Sequence, residues 1–148
     1  MDDSEVYEAV RWDLMRYATA LVGPGTAEDV VSAVVTRVLA RPGGLAGLRE
    51  PKAYLMRSVL NEVRSQYRVR SRQPATSAGP VTANPEEPSV DALGVIEQLP
   101  PRQRAAAFLV FYEEHTPTEA AALMGCRPAT ARRYLHLARQ KLREALDE

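Results

Sequence analysis

Six basic side chains crowd the segment from Arg127 to Arg143, and no acidic residue lies among them. They are Arg127, Arg132, Arg133, Arg139, Lys141 and Arg143. The whole chain of 148 residues has a formal net charge of zero, so this charge is strongly localised. Lysine and arginine bind phosphate groups, and arginine also binds guanine edges through two hydrogen bonds. The segment therefore indicates a nucleic-acid contact.

The apolar spacing within this segment predicts a helix with one buried and one exposed side. The predicted buried residues are Ala131, Tyr134, Leu135, Ala138, Leu142 and Ala145, and the predicted exposed residues are Ala129, Arg132, Arg133, His136 and Gln140. A helix of this kind fits the major groove of duplex DNA. Arg139, Lys141 and Arg143 lie further along the helix, near its C-terminus, where the macrodipole favours cations. These three side chains could therefore bind phosphates or simply be solvated.

A second basic stripe is predicted between residues 51 and 70. At about 100° per residue, Leu55, Val59, Val63 and Tyr67 fall on one side of a helix with Met56 and Leu60 beside them. The other side carries Tyr54, Arg57, Asn61, Arg64 and Arg68. An aromatic ring, an amide and three guanidinium groups suit phosphates and unstacked bases. A solvated helix face is the alternative interpretation.

Candidate residues for covalent or metal chemistry are few. Cys126 is the only cysteine, and the two histidines, His115 and His136, form no metal-ligand spacing with it. The sequence also has no glycine-rich phosphate loop and no HExxH motif. We therefore expect no internal disulfide, no metal, no cofactor and no enzymatic activity.

Apolar residues at helical spacing place these stripes in an all-α fold. The first predicted helix carries Val6, Val10, Leu14, Tyr17 and Leu21, and a valine-rich second helix follows the capping signal TAED. A third helix is predicted to begin at Pro51. Beyond residue 89 the segments VDALGVIEQL, PPRQRAAAFLVFYEE, TPTEAAALMG and RPATARRYLHLARQKLREALDE predict four more helices.

The last two predicted helices carry clear start and stop signals. Thr116 and Glu119 predict a capping box, Gly125 a helix end, and Pro128 the start of the next helix. Two helices joined by a tight glycine turn form a helix-turn-helix.

A segment rich in Pro and Ser, residues 71–89, separates the two helical parts and predicts a flexible linker. The expected organisation is thus two small helical domains, residues 1–70 (the first block) and residues 90–148 (the second block). The acidic start MDDSEVYEAV does not resemble a signal peptide, and no apolar run approaches the length of a membrane span. A cytoplasmic location is expected.

The chain resembles the group IV, or extracytoplasmic-function, sigma factors of bacterial RNA polymerase. In the first block, AEDVVSAVVTRVLAR is similar to the helix by which the family docks on the polymerase clamp. REPKAYLMRSVLNEVRSQYR is similar to the segment that melts and reads the −10 element. The second block follows the family's region 4, with LPPRQR at its opening and ARQKLR in its recognition helix.

The resemblance implies three sets of contact residues. Core polymerase would bind Glu28, Asp29, Ser32 and Ala33; the −10 strand would bind Tyr54, Arg57, Asn61, Arg64 and Arg68; the −35 duplex would bind Arg127, Thr130, Arg132, Arg133 and His136. The implied partners are core RNA polymerase and promoter DNA, and the family often has an anti-sigma factor as well.

Several positions depart from the family pattern. Ser32 and Ala33 stand where Gln and Glu are usual, which removes polar groups from the docking face. Arg127 replaces a small capping residue, at a cost of about 1 kcal/mol, and adds a cation near DNA. The loop RPGGLAGLRE, which in the family holds a flipped base, has no aromatic residue before Tyr54. The remaining departures are Val35, Ser65 and Val110.

Three alternatives to a sigma factor stay open at this point. The chain could be a helix-turn-helix regulator that never joins polymerase, for which Ser32 and Ala33 are the best support. It could be a sigma-like module that only binds another protein. An enzyme is the third alternative, although no motif supports it.

Overall fold

A computed structural model describes residues 1–72 and 92–147, and their regular structure is helical. The first block contains α1 (Asp3–Val22), α2 (Pro24–Leu39) and α3 (Pro51–Arg72). The second block contains α4 (Ala92–Gln98), α5 (Pro101–Ala107), α6 (Pro117–Met124) and α7 (Pro128–Leu146). A π-helical turn, Phe108–Tyr112, continues α5. The predicted all-α fold is confirmed.

The helix boundaries agree with most of the predicted signals. α3 begins at Pro51, α7 begins at Pro128, and Thr116 and Glu119 form the expected capping box. The TAED signal was wrong as a helix start, because α2 already begins at Pro24 after Gly23. Proline suits the first helical turn, where its missing N–H is not needed, so Thr26 lies inside the helix.

The linker prediction falls mainly outside the described residues. α3 continues through positions 71 and 72, which had been assigned to the linker, and residues 73–91 are not described. Tyr67 had been predicted on the buried side of α3 but is 48% exposed. The last turn of α3, from Tyr67 to Ser71, is exposed throughout, because the helix extends beyond the apolar core at that end.

One apolar core joins the two blocks. Tyr17 and Leu14 of α1 and Leu55 and Leu60 of α3 belong to the same cluster as Leu109 from the second block. Other members from the second block are Ala105, Ala106, Ala120, Met124 and Leu135. The rings of Tyr17 and Phe108 are 6.3 Å apart between centroids. The two blocks are therefore packed against each other, and α3 lies between α1, α2 and the second block.

A smaller apolar cluster stabilises the second block on its own. Ile96 and Leu99 from the α4 region pack on Ala107 and Ala138, with Leu142 partly buried beside them. Because α4 lies against α7 through this cluster, it fixes the C-terminal half of the basic helix.

Candidate nucleic-acid interface

The helix-turn-helix is built by local signals at each of its ends. The Thr116 hydroxyl accepts a hydrogen bond from the N–H of Glu119 at 3.1 Å, and the Thr116 N–H donates to the Glu119 carboxylate at 3.0 Å. These bonds, first of all the one from the Thr116 backbone, lower the pKa of Glu119. Gly125 ends α6 in the left-handed conformation at φ +76°, which glycine adopts without steric cost.

The predicted −35 residues lie together at the start of α7. The side chains of Arg127, Arg132, Arg133 and His136 are exposed, whereas Thr130 is half-buried. Arg127 precedes α7 as its N-cap residue and makes no side-chain capping hydrogen bond, as the sequence predicted. The guanidinium group of Arg127 is thus not engaged in capping the helix.

The opposite side of α7 holds the helix in place. Ala131, Leu135 and Ala138 are buried, and Leu142 and Ala145 are partly buried, as predicted. The Tyr134 hydroxyl accepts a hydrogen bond from Arg102 of α5 at 2.8 Å. Arg139, which could have contacted phosphate or only solvent, has its guanidinium carbon 5.3 Å from the ring centroid of Phe111. That cation–π contact orients Arg139 along one edge of the exposed face.

The predicted −10 stripe of α3 is divided by the packing of the two blocks. Asn61 and Arg68 are exposed, whereas Tyr54, Arg57 and Arg64 are half-buried. The sequence predicted all five on the side of α3 opposite its apolar side, and three of them, Tyr54, Arg57 and Arg64, are partly covered there. The reason is tertiary packing, since α6 and α5 of the second block lie along this part of α3.

A cleft of about 340 Å³ between α2 and α3 lies beside the exposed part of the stripe. Its lining is mostly polar and consists of Val34, Arg37, Val38, Arg41, Tyr54, Ser58, Asn61, Glu62 and Ser65. Arg37 pairs with Glu62 at 3.0 Å, which neutralises one end of the cleft. At the other end lie the Arg41 guanidinium group, the Tyr54 ring and the Asn61 amide, which together suit a base and its phosphate.

Arg41 is a member of this site that the sequence had not suggested. Its guanidinium carbon lies 4.9 Å from the ring centroid of Tyr54, and it donates a hydrogen bond to the Tyr54 hydroxyl. The signal was present, because Arg41 opens the RPGG loop that the family resemblance places next to a flipped base.

The four predicted docking residues share one open face of α2. Glu28, Asp29, Ser32 and Ala33 are all exposed, while Val30, Val31 and Val34 are buried against the other helices. This face keeps two carboxylates in solvent. The two departures from the family pattern, Ser32 and Ala33, follow those carboxylates by four residues and so lie one turn further along the same face.

Cys126 lies in the helix-turn-helix turn and is half-buried. Burial raises the pKa of its thiol, and the nearby positive charge of Arg102 only partly opposes this effect. In the described ranges no group of three or more His, Cys, Asp or Glu side chains is placed to hold a metal ion. Within the same ranges no helix has the length and apolar character needed to cross a membrane.

Comparison with known proteins relates both halves of the chain to one family. A family model described as Sigma-70, region 4 matches residues 90–142. The chain is 30% identical over 151 residues to the RNA polymerase sigma-E factor of Streptomyces avermitilis, covering 97% of this chain and 84% of that protein. It is 30% identical over 154 residues to the sigma-E factor of Streptomyces coelicolor, covering 96% and 85%.

A solved structure has the same overall arrangement. The sigma factor RpoE from Bartonella quintana, in a co-crystal structure with the anti-sigma factor NepR, superposes with a TM-score of 0.70. The sequence identity is 25%, and the match covers 97% of this chain and 96% of that one. The likeness therefore includes both blocks.

Proposed function

Because the chain belongs to the extracytoplasmic-function sigma factors of bacterial RNA polymerase, we propose that its two basic surfaces divide promoter recognition between them. A sigma factor directs core polymerase to promoters and starts transcription, and it acts as a regulatory factor. The observation that carries the proposed division is the separation of the two basic faces. One lies on α7 in the block matched by region 4, and the other lies on α3 in the first block.

The −35 duplex is assigned to the start of α7. This end of the helix presents cations to solvent while its opposite side is buried, which is the geometry of a recognition helix in the major groove. The assigned residues are Arg127, Thr130, Arg132, Arg133 and His136. Thr130 is half-buried, so its contribution is a contact at the edge of the groove.

The melted −10 strand is assigned to α3 and the neighbouring cleft. Opening duplex DNA costs about 1.4 kcal/mol per stacked step, and stacking on an aromatic ring returns about 1–3 kcal/mol per base. The stripe of Tyr54, Arg57, Asn61, Arg64 and Arg68 supplies both stacking and phosphate contacts, and Arg41 adds a further cation beside Tyr54.

Core polymerase is assigned to the exposed face of α2 that carries Glu28, Asp29, Ser32 and Ala33. Polymerase would hold both blocks on one promoter, so two weak DNA sites act together through effective concentration. Because the B. quintana protein forms a complex with NepR, we propose that an anti-sigma factor also binds this chain. We assign no catalytic step to any residue of this chain, and RNA synthesis is carried out by polymerase.

Reconstituted transcription tests this assignment. Core polymerase plus the full chain should start transcripts on genomic DNA at positions that core polymerase alone does not use. The double variant Arg132→Ala, Arg133→Ala should lose these starts while still binding core polymerase. If the full chain gives no new start, and core polymerase carries no bound protein in a pull-down, the assignment of α2 as the docking face is contradicted.

A further inference from the structure

The loop between α2 and α3, residues 40–50, joins the two walls of the cleft that carries part of the proposed −10 surface. Arg41 lies near the start of this loop, and its guanidinium carbon is 4.9 Å from the ring centroid of Tyr54 on α3. Asn61 lines the same cleft further along α3. The position of the Arg41 side chain in the cleft therefore depends on the path that the 40–50 loop takes.

Short-range contacts fold the 40–50 loop into two consecutive turns. The Gly44 N–H donates to the Arg41 carbonyl oxygen at 3.0 Å, and the Gly47 N–H donates to the Gly43 carbonyl oxygen at 2.9 Å. Leu45, between these turns, is buried in the core of the protein. The loop thus has a compact shape with one apolar anchor, while most of its other residues are exposed.

Asp3 of α1 holds the same loop from outside. The Ala46 N–H donates to the Asp3 carboxylate at 2.8 Å, although the two residues are 43 positions apart in the sequence. The carboxylate also lies close to Gly44, where a β-carbon would be 2.7 Å from Oδ2 of Asp3. One half-buried side chain therefore contacts the loop on both sides of Leu45.

Capping of α1 does not account for these contacts. An acidic residue in the first turn of a helix is favoured by the macrodipole, and this would explain Asp3 without any contact to the loop. The capping hydrogen bond itself is made by Asp2, whose carboxylate accepts from the Glu5 N–H at 2.9 Å. The Asp3 carboxylate is directed instead to the loop.

We infer that Asp3 is a positioning residue for −10 recognition: it holds the 40–50 loop so that Arg41 stays beside Tyr54, and thereby sets how strongly the cleft discriminates between bases. The inference rests on the proposed role of the cleft. Contacts that distinguish bases need side chains held within about 0.5 Å by their supporting hydrogen bonds. Phosphate contacts carry no sequence information, so loss of Asp3 should weaken discrimination more than capture of the strand.

Competition among promoters tests this role. The template is a promoter identified by the reconstituted transcription, with its −10 positions randomised and a barcode in the transcribed region. Core polymerase with the full chain transcribes the pool, and sequencing of the transcripts gives the preference for one base over another at each −10 position. The fraction of folded protein and its affinity for core polymerase affect all templates alike, so both cancel in this ratio. A purely structural role of Asp3 would lower the yield and leave the preference unchanged.

Asp3→Ala should reduce the strongest −10 base preference about fivefold or more. Asp3→Asn keeps an oxygen that can accept from the Ala46 N–H, so it should retain most of the preference. Glu8→Ala is the matched control, because this acidic side chain of α1 pairs with Arg11. An unchanged preference with Asp3→Ala, or an equal loss with Glu8→Ala, would overturn the inference. Transcription by the unaltered chain with no preference at any −10 position would contradict the proposed role of the cleft, and the inference with it.

A second variant disturbs the contact while Asp3 stays in place. Gly44→Ala puts a β-carbon against the carboxylate and should reduce the same preference, but by less in an Asp3→Ala background. Gly23→Ala is the control for backbone strain, since Gly23 also has a positive φ, +83°, and a β-carbon there would have nothing within 4 Å. It should lower stability and leave the preference intact. An undiminished effect of Gly44→Ala in the Asp3→Ala background would show that it acts through the backbone alone and would overturn the inference.

Discussion

Arg57 of α3 lies directly over Gly125, the residue that ends α6, and leaves no room there for a side chain. A β-carbon on Gly125 would be 2.7 Å from the Cδ of Arg57 and 3.1 Å from its Cγ. The same glycine has φ +76°, where a β-carbon is unfavourable for steric reasons of its own. Local backbone geometry and a contact from the other block therefore both select glycine at this position.

Replacing Gly125 with Ala should lower the free energy of unfolding through both effects. The left-handed conformation costs about 1–2 kcal/mol, and displacement of Arg57 adds to this. In an Arg57→Ala background only the conformational cost remains, so Gly125→Ala should lower the free energy of unfolding by less there. Urea unfolding of the four proteins in this double-mutant cycle measures the difference. Equal costs in both backgrounds would show that Arg57 does not press on the turn in solution.

Glu114 should be replaceable by Gly with a gain in stability. It follows the π-helical turn with φ +60°, and it is the non-glycine residue with positive φ in the described part of the chain. Relief of this conformation should raise the free energy of unfolding by about 1 kcal/mol. Glu144→Gly on exposed α7 is the control and should instead cost about 1 kcal/mol. Thermal or urea unfolding compares them, and a loss of stability for Glu114→Gly would contradict the expectation.

Local signals were sufficient to predict the helix-turn-helix, because its start, turn and second helix each depend on neighbouring residues. Thr116 with Glu119, Gly125, and Pro128 marked them correctly. The packing of the two blocks depends on contacts between distant residues, which periodicity does not report. One indirect signal existed: the apolar side of α3 is broad, since Met56 and Leu60 are buried beside Leu55, Val59 and Val63. A face of that width needs neighbours on two sides, and it explains why Arg57 and Arg64 are half-buried.

Arg132→Ala and Arg133→Ala should each weaken binding to the −35 duplex. Both side chains are exposed on the recognition face, so a lost contact to a base edge should cost about 1–3 kcal/mol on the matched site and little on a mutated one. A phosphate contact would weaken binding to all sequences alike and lower the salt slope by about one unit. Affinities on matched and mutated sites at several salt concentrations distinguish the two roles. No change on any site would remove these residues from the interface.

Ser32→Gln together with Ala33→Glu should strengthen binding to core polymerase. Both positions are exposed on the α2 face, one helical turn after the docking carboxylates Glu28 and Asp29, and the substitutions restore the polar side chains usual in the family. The equilibrium affinity for core polymerase, measured with the free protein in excess, should rise while the unfolding free energy changes little. Ala9→Glu, at an exposed position of α1, is the control. Unchanged or weaker binding by the double variant would show that this chain docks in a different way.

Tyr54 and Asn61 should be needed for promoter melting and not for duplex binding. They line the cleft between α2 and α3, where Tyr54 also contacts Arg41. With Tyr54→Ala or Asn61→Ala, core binding and −35 binding should stay intact while the open complex forms less, because captured bases lose stacking worth about 1–3 kcal/mol each. Arg70→Ala, exposed on α3 and outside the stripe, is the control.

These variants can fail either in separating the strands or in reading the −10 bases. Permanganate footprinting of the −10 region distinguishes the two defects when it is done on a closed promoter and on the same promoter with a pre-melted bubble. A bubble should rescue a defect in strand separation, since the cost of opening is already met, but it should not rescue a defect in reading the bases. Because Tyr54 is partly buried against the core, its variant is compared at matched folded fraction, and Tyr54→Phe tests the hydroxyl alone. Normal melting of the closed promoter by both alanine variants would mean that Tyr54 and Asn61 take no part in capturing the −10 strand.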